Sequence, residues 1–572
     1  MKRMMTLCMA TAMTLTANAA NKDWFQNAGQ PGGDWLWSNW MNWNLVLPTS
    51  ADTVRIFGNT EQTPVLVDCD AVFSLLRLAP NAGDTAYLIL QNDASMTGGG
   101  PDSNLIGANG FGQIIQNGGT FQAPRATVLG DASGAEGIYY LNAGTHTANW
   151  NSFIGNSGTG TLYINGGIWA STGDRTTIIG NELGSIGKVY NYGPGTFKHT
   201  GVGGGNRNLF VGNLGQGELY NWGTMIFERD IIVGNANTSG PIAKFHQLGG
   251  SISVGWSCYI GYNGRAEMKV EAPLYTRDLF IADQLGSYGY IEYLVGATNT
   301  FGAGRQLVVG VNGHAELIIK GGFVKGEGTN GRITVRANED AYGLVQGWGE
   351  FKNWQSPLIN NGLIIADGFG VDRELLFTDN NFMAYGHYFL DNTIPNTSTN
   401  GYYARNGGLL RLPGFYLDGA GDYLWGEALS ATELTMVNSV RVKFDTVIGT
   451  HVMFNVDIIA PDRTDLPPLP MRGAVIGLWN INFPNAQIIN QWSATTTSEL
   501  EVRYDHVAAR NITPELYQYN PSAKVWTKLE TTSLSNHRLM TTDVELFNTD
   551  GTPKFSYIAA IRPTSSNVFY MR

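Results

Sequence analysis

Two apolar residues followed by a small one recur along the first half of the chain. The series runs Leu105-Ile106-Gly107, Val128-Leu129-Gly130, Phe153-Ile154-Gly155, Ile178-Ile179-Gly180, Phe210-Val211-Gly212, Ile232-Val233-Gly234, Tyr259-Ile260-Gly261, Phe280-Ile281-Ala282 and Val308-Val309-Gly310. The period is near 25 residues with irregular insertions, so each repeat is one structural unit of a stacked array. A second signature keeps a fixed phase: Gly119-Thr120-Phe121, Gly144-Thr145-His146, Gly167-Ile168-Trp169, Gly195-Thr196-Phe197, Gly223-Thr224-Met225, Gly250-Ser251-Ile252 and Gly322-Phe323-Val324. A large residue two after glycine, with mostly threonine between, is the alternation of a strand with one buried face.

Between these signatures lies a third strand: Gln113-Ile114-Ile115, Thr161-Leu162-Tyr163, Lys188-Val189-Tyr190, Glu218-Leu219-Tyr220, Glu267-Met268-Lys269 and Glu316-Leu317-Ile318. Its middle residue is apolar and faces inward. Three short strands per coil, joined by Gly and Asn corners, predict an all-β fold, a right-handed parallel β-helix with three strands per coil. Helical repeats are excluded, because each period carries several glycines and no 3.6-residue apolar stripe. Roughly ten coils between residues 100 and 345 would make a rod about 50 Å tall. Asn117, Asn142 and Asn165 occupy matching corners, where stacked amides can bond to one another.

A solenoid needs covered ends. The segment from Asp34 to Trp43, with Trp35, Trp37, Trp40 and Trp43, followed by Pro48 and Asp52-Thr53-Val54-Arg55-Ile56, suits an N-terminal cap better than a sugar-stacking platform. Beyond residue 345 the glycine period fades through Asn360-Asn361-Gly362. From about Ala428 separate alternating strands take over, among them Val440-Arg441-Val442-Lys443-Phe444 and Leu500-Glu501-Val502-Arg503-Tyr504, which predict a C-terminal β-sandwich. The expected division is a signal peptide over 1–19, cap and first coils over 20–100, β-helix over 101–345, degenerate coils and cap over 346–427, and the sandwich over 428–572.

Lys2 and Arg3, an apolar run from Met4 to Leu15, and Ala17-Asn18-Ala19 read as an export signal with an A-x-A cleavage site. The apolar run is too short to span a bilayer, and no membrane-spanning segment is expected after its removal. Export to the cell surface or extracellular space follows, with the periplasm as the other possibility. Charged residues are 15% of the chain, glycines number 73, and the net charge is −11, which disfavours nucleic acid as a partner. Cys69 and Cys258 lie several coils apart, so two unpaired buried thiols are expected.

The repeats, the Trp-rich opening, and the phrase from Gly401-Tyr402-Tyr403-Ala404 to Leu412-Pro413 together resemble secreted bacterial surface proteins with autotransporter-passenger-like parallel β-helix repeats. The likeness covers roughly residues 30 to 430. It implies the solenoid fold and an exported surface protein, and it says little about ligand. The C-terminal module is shorter than a twelve-stranded translocation barrel, and Phe569-Tyr570-Met571-Arg572 lacks a terminal aromatic, so a second export route or simple release is expected.

Parallel β-helices also carry polysaccharide lyases and glycoside hydrolases, which need paired carboxylates a few ångströms apart. Glu218, Glu267 and Glu316 share a phase, yet an intervening coil separates the first two and the glutamates alternate with uncharged coils, so they read as solvated strand residues. Glu228-Arg229-Asp230 is a lone charged triplet, and Asn548-Thr549-Asp550 and Asp379-Asn380-Asn381 read as turns. The eight histidines are dispersed, and His146 falls at an inward phase as a core residue. No catalytic residue, metal site or cofactor is expected.

One constellation points to binding. Tyr140, Tyr163, Tyr190 and Tyr220 follow the inward residue on four successive coils, which stacks their rings on one exterior face. The file Thr120, Thr145, Thr196 and Thr224 is a single column, too narrow for ice binding. The expectation is a noncatalytic exported surface or matrix protein, a β-helical stalk or adhesin. Its partner would be an extracellular polysaccharide or another surface protein, and a β-helix lyase or hydrolase is the alternative.

Overall fold

The computed structural model describes most of residues 20–377, apart from 25–33, 44–45, 202–206, 236–239 and four shorter gaps. Beyond residue 377 it describes the strands of the C-terminal third, with side chains at 440–444, 456, 473–481, 499–520, 523–546 and 557–563. The chain is 57% strand and 1% helix, arranged as a parallel β-solenoid of about 12 turns followed by antiparallel sheets.

Each coil contributes a short first strand (Asn104–Ile106 is one), a longer second strand (Phe111–Gln116) and a third (Thr120–Ala123), each paired in parallel with its counterparts above and below. Ile154, Ile179 and Val211 stand in one register column, which runs from Ile56 to Val335 and is fully buried. Each coil would leave its apolar side wet if it stood alone, so burial between neighbours holds the rod together. The glycine that ends the first strand is required by its geometry. Gly155 has φ +73°, and a Cβ there would lie 2.2 Å from the Ile186 carbonyl oxygen in the next coil. Ala79 and Ala282 hold the same left-handed position at φ 53° and 55°, which is why the signature weakens in their coils.

The corner between first and second strands alternates in length. Three residues span it at 108–110, 156–158 and 213–215, and five at 131–135, 181–185 and 283–287. Leu183 and Leu285, on the longer corners, project into solvent.

The predicted amide stack is present: Asn142 donates to the Asn117 side-chain oxygen (2.9 Å) and Asn165 to that of Asn142 (2.7 Å). A longer ladder, not anticipated, follows the first strand. Asn156 donates to Asp131, Asn181 to Asn156, Asn213 to Asn181 and Asn235 to Asn213, at 2.7 to 3.0 Å.

At the N-terminal end, Asn21–Asp23 pairs with Thr53–Ile56, and Leu36 bridges Leu66. Trp37 and Trp43 pack with Trp24 in the core, and the Trp43 indole donates to the Trp37 carbonyl at 2.8 Å. Trp40 remains exposed and Trp35 half-buried, so the Trp-rich segment supplies two core residues, Trp37 and Trp43.

At the other end, Leu409–Arg411 pairs in parallel with Glu374–Phe377 and meets Val452–Ile458 in antiparallel at Leu410. One antiparallel sheet then includes Gly473–Asn482, Ser556–Pro563 and Glu515–Asn520. A second is built from Gly421–Trp425, Val440–Phe444, Ser498–Arg503, Arg538–Thr541 and Thr532–Leu534. Trp479, Ile481, Ile558 and Ala560 of the first share a buried cluster with Val440, Val442, Leu500 and Val502 of the second, as expected of a sandwich.

Three expectations need correction. Glu218 is buried at 7% exposure and is not a solvated strand residue. Cys258 is buried, but Cys69 is only half-buried; both are free thiols. The coil between Glu218 and Glu267 is not uncharged, because Ala243–Gln247 places Lys244 between them, and Tyr290 separates Glu267 from Glu316. An insertion ahead of Ala243 breaks the period and hides that coil from the repeat.

Candidate functional site

The second strands present their outward residues as straight files because the register holds from coil to coil. One file contains Leu66, Ile89, Ile115, Tyr140, Tyr163, Tyr190 and Tyr220. The four predicted tyrosines are brought together in it. Their ring centroids are 4.7, 5.1 and 5.3 Å apart in order, and the planes are within 9° of parallel. Strand spacing is about 4.8 Å, so the backbone itself sets the stack.

All four rings are half-buried, because each face lies against a neighbour. What the file offers to solvent is therefore a row of ring edges and hydroxyls rather than open aromatic faces. The stack ends at His246, whose ring meets Tyr220 edge-on at 5.1 Å. The Tyr220 hydroxyl donates to Glu218 at 3.3 Å, and burial, with the Glu218 charge, pushes its pKa up to about 12. Burial raises Tyr163 as well. Both hydroxyls keep their protons and remain donors at neutral pH.

Two residues further along each strand runs a parallel file: Asp68, Gln91, Asn117, Asn142, Asn165, Tyr192 and Trp222. Tyr192 stacks on Trp222 at 5.1 Å and also lies 6.3 Å from Tyr190. The sequence pattern identified Asn117, Asn142 and Asn165 of this file but missed its aromatic end, although Tyr190-Asn191-Tyr192 and Tyr220-Asn221-Trp222 carry that signal at a spacing of two. A concavity of about 590 Å³, lined by Leu66, Asp68, Ile89, Gln91, Asn92, Asp93, Ala94 and Asn117, occupies the N-terminal end of the same two files. The surface is thus a strip in which polar side chains run beside apolar residues and tyrosines from Asp68 to Asn165, and aromatic rings occupy both files at Tyr190, Tyr192, Tyr220 and Trp222.

The other candidates fall elsewhere. Glu218 is held by Lys188 at 3.6 Å, and Glu267 lies 3.5 Å from His246. His146 is fully buried between Phe121 and Trp169 and bonds Thr127 at 3.0 Å; burial lowers its pKa to about 3. Glu228 pairs with Arg207, and Asp230 accepts the Ser257 backbone N–H at 2.9 Å. The threonine file is interrupted by Ile168. Asp379 to Asn381 and Asn548 to Asp550 lie outside the described residues. Among the described residues no three His, Cys, Asp or Glu side chains gather in the manner of metal ligands, and no helix is long and apolar enough to cross a membrane. The chain matches no family model, no curated protein and no solved structure at a significant level.

Proposed function

We propose that this chain is a noncatalytic exported surface or extracellular-matrix protein. In this reading the solenoid is a rigid stalk, and the strip along its second strands binds an extended extracellular polysaccharide. The observation that carries the reading is the pairing of the two files: ring edges and hydroxyls at Tyr140 and Tyr163 beside amides at Asn142 and Asn165, continued by Tyr190 and Tyr220 beside Tyr192 and Trp222. A polysaccharide chain alternates apolar ring faces with hydroxyls, and a straight double file of apolar and amide groups is complementary to it. Such a site requires no induced movement, since the backbone ladder fixes every side chain in advance.

The test is a glycan array probed with the chain lacking its first 19 residues, alongside the Tyr163→Ala/Tyr190→Ala double variant. Binding to a neutral glycan that the double variant loses, with its melting temperature close to the parent's, supports the reading. Equal binding by the double variant removes the tyrosine strip. Product release from a polysaccharide panel would replace adhesion with lyase or hydrolase chemistry.

A further inference from the structure

A different edge of the rod carries a second, cationic feature. The residue two positions before each first strand falls at one corner, and register keeps these residues in line. Arg125, Trp150 and Arg175 occupy it on three successive coils. The Trp150 indole lies between the two guanidiniums, at 5.2 and 4.1 Å from the ring centroid. Arg207 follows, paired with Asp174 and Glu228. The arrangement then repeats as Arg229, Trp256 and Arg277, with the guanidiniums 4.3 and 5.7 Å from the Trp256 ring.

Two Arg-Trp-Arg clamps therefore stand four coils apart, about 19 Å at strand spacing. Stacking on an indole fixes the plane of a guanidinium; Arg125 donates one N–H to the Pro101 carbonyl and Arg277 one to the Gly255 carbonyl at 3.3 Å, and a planar guanidinium with further N–H groups suits a carboxylate or sulfate. Asp230 and Asp278, beside Arg229 and Arg277, accept the backbone N–H groups of Ser257 and Gln306 at 2.9 Å each, Asp278 also pairs with Arg305 at 3.6 Å, and both carboxylates offset part of the second clamp's charge. On the adjoining first strands Phe153 and Phe210 are half-buried, while Ile178 and Ile232 between and beyond them are buried.

The geometry points to a second binding site along this corner, for a linear acidic polysaccharide bearing carboxylate or sulfate groups. Within one clamp, two guanidiniums two coils apart are about 10 Å from each other, a spacing that a regular linear acidic polymer meets with charges on every second unit. Asp174 and Glu228, at the corner between the clamps, oppose a dense polyphosphate, and the chain's net charge of −11 does the same over longer range. Two clamps on one rod also let a single long polymer engage both, which raises avidity without further contacts. The site shares no residue with the tyrosine strip and stands whether or not that strip binds glycan.

The experiment measures retention of the chain without its first 19 residues on immobilised polygalacturonate, heparin, a neutral glucan and duplex DNA. Retention on an acidic polysaccharide is expected, weakening with salt at a log-log slope of about −3. Arg175→Gln/Arg277→Gln should reduce affinity at least about tenfold, and Arg175→Lys/Arg277→Lys, which keeps charge but loses the planar fork, should fall between. Tyr163→Ala/Tyr190→Ala should bind acidic polymer as the parent does, which separates failure of the strip from failure of the corner. No retention at about 50 mM salt, parent-like binding by the Gln variant, or tighter binding to DNA than to either acidic polysaccharide overturns the assignment.

Discussion

The His146 imidazole lies 3.7 Å from the Trp169 indole and 7° from parallel to it, with no exposed surface. Burial drives its pKa from 6.5 to about 3, so the folded protein leaves this ring neutral where the unfolded chain would already be protonated. Stability is therefore full above pH 6.5 and declines as the pH falls toward 3, by on the order of 5 kcal/mol from this one site. His199, also lowered by burial, adds to the same trend. Urea unfolding of His146→Phe should show a shallower loss between pH 6.5 and 4 than the parent. At pH 7 the variant should be weaker by about 1 kcal/mol, because Thr127 loses its partner.

Two glycines with similar backbone angles should respond differently to alanine. At Gly155 the new methyl would meet the Ile186 carbonyl at 2.2 Å, whereas at Gly134, φ +79°, it would meet nothing within 4 Å. Gly134→Ala should cost about 1 kcal/mol for the left-handed conformation alone. Gly155→Ala should cost clearly more, since two coils must separate. Thermal melts of both variants check the order, and equal losses would remove the steric explanation for the repeated glycine.

The C-terminal module carries a buried ion triad. Glu501 is 1% exposed and receives Arg441 at 2.8 Å and Arg538 at 2.6 Å. Removing the carboxylate takes the closest anion from two guanidiniums with little access to water, leaving Arg441 with Glu499 at 3.6 Å and Arg538 with the Ser535 carbonyl at 2.9 Å, so Glu501→Ala should destabilise this module by about 3 kcal/mol. The loss should appear in denaturant unfolding as an earlier transition.

The thiols should be kinetically distinct. Burial, reinforced by the Asp230 charge, pushes the Cys258 thiol far up, and it has no exposed surface; Cys69 is also raised but is half-buried. Iodoacetamide on native protein should label Cys69 slowly and Cys258 only after denaturation. Mass spectrometry of a partial digest reads the outcome directly.

Much of this architecture is visible in the residues. The column through Ile154, Ile179 and Val211 follows from a single tripeptide signature, because an inward position repeated at one phase has nowhere to go but into a stack. The tyrosine file was legible for the same reason. What was not legible depended on coils that lack the marker. Where Ala79 takes the left-handed position, the solenoid continues through Thr53–Ile56 without its glycine; where chain is inserted before Ala243, Lys244 enters the glutamate file unannounced. The arginine corner escaped because its members are isolated in sequence, each surrounded by turn residues, and only register places Arg125 under Trp150 and Trp150 under Arg175.

The alternation of three- and five-residue corners has a consequence for how such a rod can change length. A coil with a short corner always has a long-cornered neighbour through this stretch, so the unit that can be duplicated or excised without creating two identical neighbours is a pair of coils, about fifty residues. Growth in such doublets would advance the tip by about 10 Å per event and leave every file on the surface in phase. The length of the solenoid would thus change in fixed steps, with neither end redesigned.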